Sequence, residues 1–327
     1  MNAAPSIAII GAGPGGLAAA MLLAASGSKV TLLERSGQVG GRSGRIDLDG
    51  FRFDTGPTFF LYPRVIEEIF ASCGYNFRSE VEMRRLDPIY RLSFTRADET
   101  MDHLRLWTDP QQLAAAVQQF SPHDAGALQR FMRDSRKKLA AFEPVLARPF
   151  GSVAAFLDFE VLSALRHLRP WATIDAELAR YFDDPRLRLA FSFQSKYLGM
   201  SPYRCPSLFT ILSFLEHEHG VWHPLGGCSA VMEKMAELAT EMGVEIKLNQ
   251  PVREIQFEGR RAVGVRTDER DYRTDAVVMN ADFAHAARTL IPERLRRRWT
   301  NDKIESKRYS CSTFMLYLGI EGDIDLD

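Results

Sequence analysis

Gly11, Gly13 and Gly16 fall in the run Gly11-Ala12-Gly13-Pro14-Gly15-Gly16, and a carboxylate, Glu34, follows 18 residues after the last of them. G-x-G-x-x-G followed by an acid at this distance suits a pyrophosphate and a ribose. The first glycine allows a tight turn, the second lets backbone approach the phosphates, and the third lets a helix pack closely on a strand. N–H groups at the start of that helix face the phosphates, where the helix dipole favours negative charge. The two acceptor oxygens of Glu34 suit ribose hydroxyls and repel a 2′-phosphate, so FAD or NAD is expected rather than NADP. In Val39-Gly40-Gly41-Arg42 the glycines allow a second close approach, and Arg42 brings a guanidinium toward the pyrophosphate. Acid–base chemistry has fewer candidates. Asp134 and Arg136 could supply it, or could lie on a solvated helix face beside Arg133, Lys137 and Lys138. His223, in Trp222-His223-Pro224, is a lone histidine and reads first as structural.

The elements that must hold these groups are legible. Ser6–Ile10 reads as a buried strand, Gly15–Ser26 as an alanine- and leucine-rich helix stopped by Gly27, and Lys29–Leu33 as a second strand ending on Glu34. Strand, glycines, helix, strand and acid thus follow in order within 34 residues, a βαβ unit implying a parallel sheet. Apolar spacing of three and four predicts helices from about Pro110 to Arg180, and again over Ala230–Met242. Val244–Leu248, Val252–Phe257, Ala262–Thr267, Ala276–Met279 and Ser312–Ile320 read as strands.

Forty-one basic and 42 acidic residues give a formal charge of -1, so no global field points to nucleic acid. Cys73, Cys205, Cys228 and Cys311 form no C-x-x-C pair, which argues against a zinc site or disulfide framework and suits a reducing cytoplasm. The start MNAAPSIAIIG reads as a strand rather than a signal peptide. No apolar stretch approaches the roughly 18 residues that span a bilayer.

Taken together, Glu34-Arg35, Gly40-Gly41-Arg42 and Phe53-Asp54-Thr55-Gly56-Pro57-Thr58 resemble the amine oxidase and carotenoid desaturase superfamily of flavoproteins. The resemblance implies FAD, with Arg35, Gly41, Arg42 and the loop Gly56-Pro57-Thr58 among its contacts. In such flavoproteins the backbone at the position of Val252 brackets the adenine, and the strand ending at Asn280 returns to the cofactor domain. Phe182–Ser195, Tyr197–Pro202 and Gly220–Gly227 resemble the bacterial phytoene desaturase family and its relatives. From this follow an α/β chain with a Rossmann-type FAD-binding domain, and a mixed α+β substrate domain with a helical lid region. Residues 1–85 would begin the FAD domain, 86–225 form the substrate region, 226–290 return to FAD, and 291–327 open an incomplete second substrate segment. The implied substrate is a long apolar isoprenoid such as phytoene or diapophytoene, with the electron acceptor left open.

The segment Phe182–Leu225, rich in Phe, Tyr, Leu and Met, could line an apolar channel or simply be core. Pro144–Trp171 alternates aromatics and leucines with arginines, as an interfacial segment or a helical pair would. The resemblance implies peripheral attachment to the cytoplasmic face of the cell membrane. A carotenoid isomerase or ketolase, a flavin amine oxidase, and a flavin-free prenyl-binding escort of the GDP-dissociation-inhibitor type remain rival readings. The superfamily also closes its flavin site with a glycine-rich turn and final helix, which these residues do not contain, so poor FAD retention is expected of them.

Overall fold

The computed structural model describes residues 3–146, 161, 163 and 168–322. Most of the segment expected to lie in a membrane interface, with Phe150, Phe156 and Phe159, is outside the described residues. Two compact units emerge, one of Met1–Arg84, Trp222–Arg308 and Met315–Asp327, the other of Arg85–Val221 and Tyr309–Phe314.

The first unit is built on a parallel sheet in the order Ala276–Met279, Ser6–Ile10, Lys29–Leu33, Glu245–Lys247. Alternation along the central strand sends side chains into two different cores. Ile7 and Ile9 join Leu17 and Met21 of the helix Pro14–Ala25, with Val231, Met232 and Met235 of the helix Cys228–Glu241. Ala8 and Ile10 join Ile255, Val265 and Leu290, which come from an antiparallel three-stranded sheet (Val252–Glu258, Arg261–Thr267, Asp271–Arg273) and the helix Phe283–Leu290. With both faces covered, the strand ends are the places left for chemistry. A hairpin, Arg45–Leu48 with Phe51–Asp54, turns at Asp49 and Gly50, both at positive φ (51° and 83°).

In the second unit a hairpin of Tyr90–Thr95 with Met101–Leu106 precedes the helices, adding strands to a region the spacing reads as largely helical. The helices Pro110–Phe120 and Ala127–Leu146 follow. Asp109 caps the first of these through Gln111 and Gln112 N–H, at 3.0 and 2.8 Å. Phe131, Phe182 and Phe191 are fully buried together, with Phe182 and Phe191 stacked at 4.9 Å. The first part of the expected apolar channel is therefore closed core: Phe182, Leu187, Ala190 and Phe191 fill the space themselves.

Ser312–Ile320 is not a strand. It runs irregularly with no ladder partner among the described residues, and Phe314 and Leu318 are 88% and 69% exposed. An apolar run adopts β structure only where a neighbouring strand takes up its N–H and C=O groups.

Candidate functional site

At the end of the strand Ser6–Ile10 the chain turns through Gly11 (φ 98°), where a Cβ would lie 2.6 Å from the Asn280 carbonyl oxygen. A Cβ on Gly16 would overlap the Gly11 carbonyl oxygen, so the helix Pro14–Ala25 can begin here only on glycine. No side chain caps that helix: Gly13 occupies the N-cap and Pro14 the first turn, leaving the N–H groups around Gly15 and Gly16 for an outside acceptor. Gly13 itself has only an ordinary contact, 3.7 Å to the Asn280 amide nitrogen. Its lack of a side chain is not a packing need of the loop.

Glu34 is 6% exposed, and its oxygens accept from Ala12 N–H at 2.7 Å and Ser36 N–H at 2.9 Å. The carboxylate thus ties the glycine turn to its own loop, and each oxygen keeps a further lone pair for a hydroxyl donor. Ala12 C=O accepts from Gly40 N–H at 2.8 Å, and a Cβ on Gly41 would stand 3.1 Å from the Gly13 Cα, so the second glycine loop rests on the first. Arg42 is exposed and pairs with Asp282 at 3.1 Å. A bond from His285 N–H, and after it the hydrogen bond and charge of Arg42, hold the Asp282 carboxyl below the usual range against its partial burial. A Cβ on Gly56 would overlap the Arg42 carbonyl oxygen, which seats the loop Gly56-Pro57-Thr58 against this arginine's backbone. His223 Nδ1 bonds Thr58 C=O at 2.7 Å, and Phe60 and Trp222 exchange backbone bonds at 2.7 and 2.9 Å. His223 holds the loop in place. It was the structural reading that described it.

Asn280 lies over the glycines, its amide 3.4 Å from Gly11 C=O. Gln250 N–H donates to Glu34 C=O at 2.8 Å, which carries Val252 and its strand to the acid. The Gln250 side-chain oxygen is buried with no hydrogen-bond partner among the described residues. Arg35 is exposed. Gly11 to Gly16, Glu34, Gly41, Arg42, Gly56 to Thr58, Val252 and Asn280 thus lie on the strand ends, loops and helix start of one unit. The bare helix start, the glycine-lined approach and the acid at the second strand's end together fit FAD.

Asp134 and Arg136 are not gathered. They sit two apart on the helix Ala127–Leu146, a spacing that does not share a face. Asp134 accepts from Tyr181 OH at 3.1 Å and Arg133 at 3.2 Å, while Arg136 makes a two-pronged pair with Glu218 at 3.0 and 2.7 Å. Burial first, then Asp134, pushes the Tyr181 phenol up to about 12.

Three buried acids went unnoticed in the sequence. Asp124, 1% exposed, accepts from Asp183 and Asp184 N–H at 2.8 and 3.0 Å. Glu177, fully buried, pairs with Lys138 at 2.6 Å, Arg169 at 3.0 Å and Arg180 at 3.1 Å. Burial pushes its pKa up, but Lys138 and Arg180 outweigh that and hold it below the usual range. Lys138 is itself buried, not on a solvated face beside Arg133 and Lys137. Glu216, also fully buried, accepts from Gln194 at 2.7 Å, Tyr90 OH at 2.9 Å and Tyr197 OH at 3.2 Å. With neutral partners, burial wins and its pKa is raised. Among the described residues no three His, Cys, Asp or Glu side chains group as a metal site, and no helix is long and apolar enough to cross a membrane.

The family model for flavin-containing amine oxidoreductases matches residues 14–314. A 4,4′-diapophytoene desaturase (4,4′-diapolycopene-forming) of Methylomonas is 39% identical over 98% of this chain and 62% of its own length. A lycopene-forming phytoene desaturase of Pantoea ananas is 36% identical over 95% of this chain and 63% of its own. Putrescine oxidase bound to putrescine shares the fold at a TM-score of 0.58 and 19% identity, over 90% of this chain and 62% of that one. The chain belongs to the flavin-containing amine oxidoreductase family, and its cofactor is FAD. It spans a little over three fifths of the length of these curated relatives, at 62% and 63%.

Proposed function

We propose that this chain acts in an FAD-dependent desaturase that removes a hydride and a proton from adjacent carbons of a long apolar polyene precursor, phytoene or diapophytoene. One observation carries the reading: identity to the diapophytoene desaturase is 39% and runs through 98% of the chain, whereas identity to putrescine oxidase is 19%. The match thus covers the substrate region as well as the nucleotide site.

When bound, FAD supplies the hydride acceptor. The chain's own residues bind and orient it. Main-chain N–H groups at Gly15 and Gly16 take the pyrophosphate, Glu34 the ribose hydroxyls, Arg42 the remaining phosphate charge, and the Val252 strand the adenine. Asp134 is the proposed proton acceptor, since its carboxylate already orders a phenol, Tyr181. Arg136, engaged by Glu218, positions that helix. The proposal places the protein peripherally on the cytoplasmic face of the membrane that stores the substrate. Trp171, at the end of the aromatic and arginine-rich segment and 72% exposed, supports this.

The test is to load the chain with FAD and incubate it with liposomes carrying phytoene or diapophytoene. Conjugation lengthens with each double bond, so the polyene absorbance should move to longer wavelength with one of the two. No shift with either, from protein shown by absorbance to carry one FAD per chain, would sink the reading. Glu34→Ala should leave the protein nearly colourless, by loss of charge-assisted bonds worth about 1.5–3 kcal/mol each; full flavin occupancy would remove Glu34 from the site.

A further inference from the structure

The turn between the strands Val252–Glu258 and Arg261–Thr267, the helix Phe283–Leu290 and the loop that follows it enclose a cleft of about 380 Å³. No residue of the glycine-lined site lines it. Its apolar surface comes from Phe283, Ile291, Leu295 and Trp299, with Phe283 and Trp299 packed edge to face at 4.9 Å. Phe283 stays 46% exposed and Trp299 36%, although both face one another.

Arg260, Arg297 and Arg298 rim the cleft. None has a carboxylate partner among the described residues, in a chain whose acids outnumber its bases by one. Lys303 and Lys307 each stand 5.6 Å from the Trp299 ring centre. From residue 293 to 308 there are seven cationic side chains and three acidic ones. Two of those acids are engaged elsewhere: Glu293 holds Asn301 at 2.8 and 3.0 Å, and Glu305 pairs with Arg288 at 2.8 Å. The wall is also fixed in advance. Arg296, 8% exposed, donates to Trp299 C=O at 3.0 Å and Asn301 Oδ1 at 2.8 Å, and its Nε is buried without an acceptor among the described residues.

An apolar floor beneath uncompensated guanidinium groups is complementary to a molecule with both characters. The floor gains by losing water, and the rim gains charge-assisted, two-pronged bonds to an oxyanion. A nucleic acid would use the rim but leave the floor in water. We propose that this cleft binds an amphipathic anion from solution, a phosphate or carboxylate head on a short apolar chain, with the chain over Phe283 and Trp299 and the head between Arg260, Arg297 and Arg298.

Decyl phosphate, kept below its micelle-forming concentration, is the probe, and titration calorimetry of the 327-residue chain is the measurement. One molecule should bind per chain. Decanol and inorganic phosphate should each bind at least about tenfold more weakly, because each satisfies only half of the cleft. Arg297→Gln with Arg298→Gln should weaken binding about tenfold or more. These arginines are exposed, so the fold is spared; Arg260→Gln, on a different element, gives an independent second variant. Trp299→Phe should keep binding but remove the fluorescence response to it. Multiple non-saturating binding, or unchanged affinity in both arginine variants, would overturn the proposal. So would attachment to phosphatidylglycerol vesicles with no binding of monomeric decyl phosphate, which would make the occupant a lipid surface.

Discussion

In the first unit the buried acid, Glu34, is met by backbone N–H groups from Ala12 and Ser36. In the second, Glu177 is met by three cationic side chains, and Glu216 by two phenols and an amide. At Glu34 the backbone donors lie on its own loop and on the glycine turn of the same βαβ unit, so a local sequence motif puts the acid in its place. Side-chain partners arrive from elements far apart in sequence, and only the tertiary fold brings them together. The first arrangement leaves lone pairs and bare N–H groups for a ligand. The second uses up its charges in holding the interior.

The largest effect should come from removing what the backbone arrangement depends on. Gly16→Ala drives a Cβ into the Gly11 carbonyl oxygen, which is main chain and cannot swing aside. The variant should retain essentially no flavin after gel filtration with excess FAD, read as the flavin-to-protein absorbance ratio. Gly13→Ala sharpens the point, because its Cβ would have only a 3.7 Å contact. That protein should melt as the parent does and still lose flavin, since the new methyl stands where the phosphates approach. A Gly13→Ala chain with full flavin would show that the loop's glycines serve packing alone.

Breaking the other arrangement should cost less binding and more stability. Glu177→Gln leaves Lys138, with its side chain 6% exposed, as a buried charge without its counterion. Losing one member of such a pair costs about 3–5 kcal/mol. Urea unfolding should show that loss with FAD retention unchanged in the surviving folded fraction. A midpoint within error of the parent would mean that water reaches this cluster.

A third expectation concerns acid. His217 is buried beside Glu216, with Nδ1 on the Trp107 carbonyl oxygen at 3.0 Å and Nε2 without a partner among the described residues. Burial, opposed only by that bond, pushes its pKa down to about 4. The unfolded chain therefore takes up the proton first. Stability from a neutral His217 is present above the unfolded value near 6.5 and is lost as pH falls through about 4, a span worth about 3 kcal/mol. Glu216 acts in the opposite sense: its raised pKa favours the folded state at low pH, and that gain is lost as pH rises through it. His217→Asn, which keeps a donor for Trp107, isolates the histidine. If its stability falls between pH 6.5 and 4 as steeply as the parent's, the histidine is not the group that titrates.

The same contrast governs what could be read in the sequence. Ser6–Ile10, Lys29–Leu33 and Ala276–Met279 were legible to the residue because each is a short, mostly apolar run bounded by glycine or charge, and the first two are largely buried. The hairpin at Asp49-Gly50 carries a strong turn signal, and Ile46, Leu48, Phe51 and Phe53 alternate with Arg45, Asp47, Arg52 and Asp54, a strand signal that was present and went unread. Tyr90, Leu92 and Phe94 alternate with exposed Arg91, Ser93 and Thr95, a signal that was present and went unread. Lys138 gave no sign of burial, because its partner lies 39 residues away. Ser312–Ile320 failed for the complementary reason: composition records an apolar run but not whether a neighbour exists to pair with it.

The smallest expected effect tests whether a backbone-serving carboxylate also works at long range. The helix Cys228–Glu241 has Gly227 at its N-cap, with φ 84° and no side chain to accept from the first turn. Asp54, 174 residues earlier, takes that place: its oxygens accept from Cys228 N–H at 2.9 Å and Ser229 N–H at 3.1 Å. A Cβ on Gly227 would lie 2.6 Å from the same carboxylate, so the glycine makes room for the acid that replaces its cap. Burial, and then the charge of Asp54, pushes the Cys228 thiol up to about 12. Asp54→Ala should destabilise the protein by about 0.5–2 kcal/mol, the worth of an N-cap, as a lower urea midpoint at unchanged slope. Asp54→Asn, which keeps one acceptor oxygen, should recover part of the loss. Cys228 should remain slow toward thiol reagents in the parent and react faster in Asp54→Ala, where the fraying helix start exposes it. If the alanine variant matches the parent in both midpoint and thiol reactivity, the first turn is satisfied by water, and the motif Phe53-Asp54-Thr55-Gly56-Pro57 owes its acid to something other than this cap.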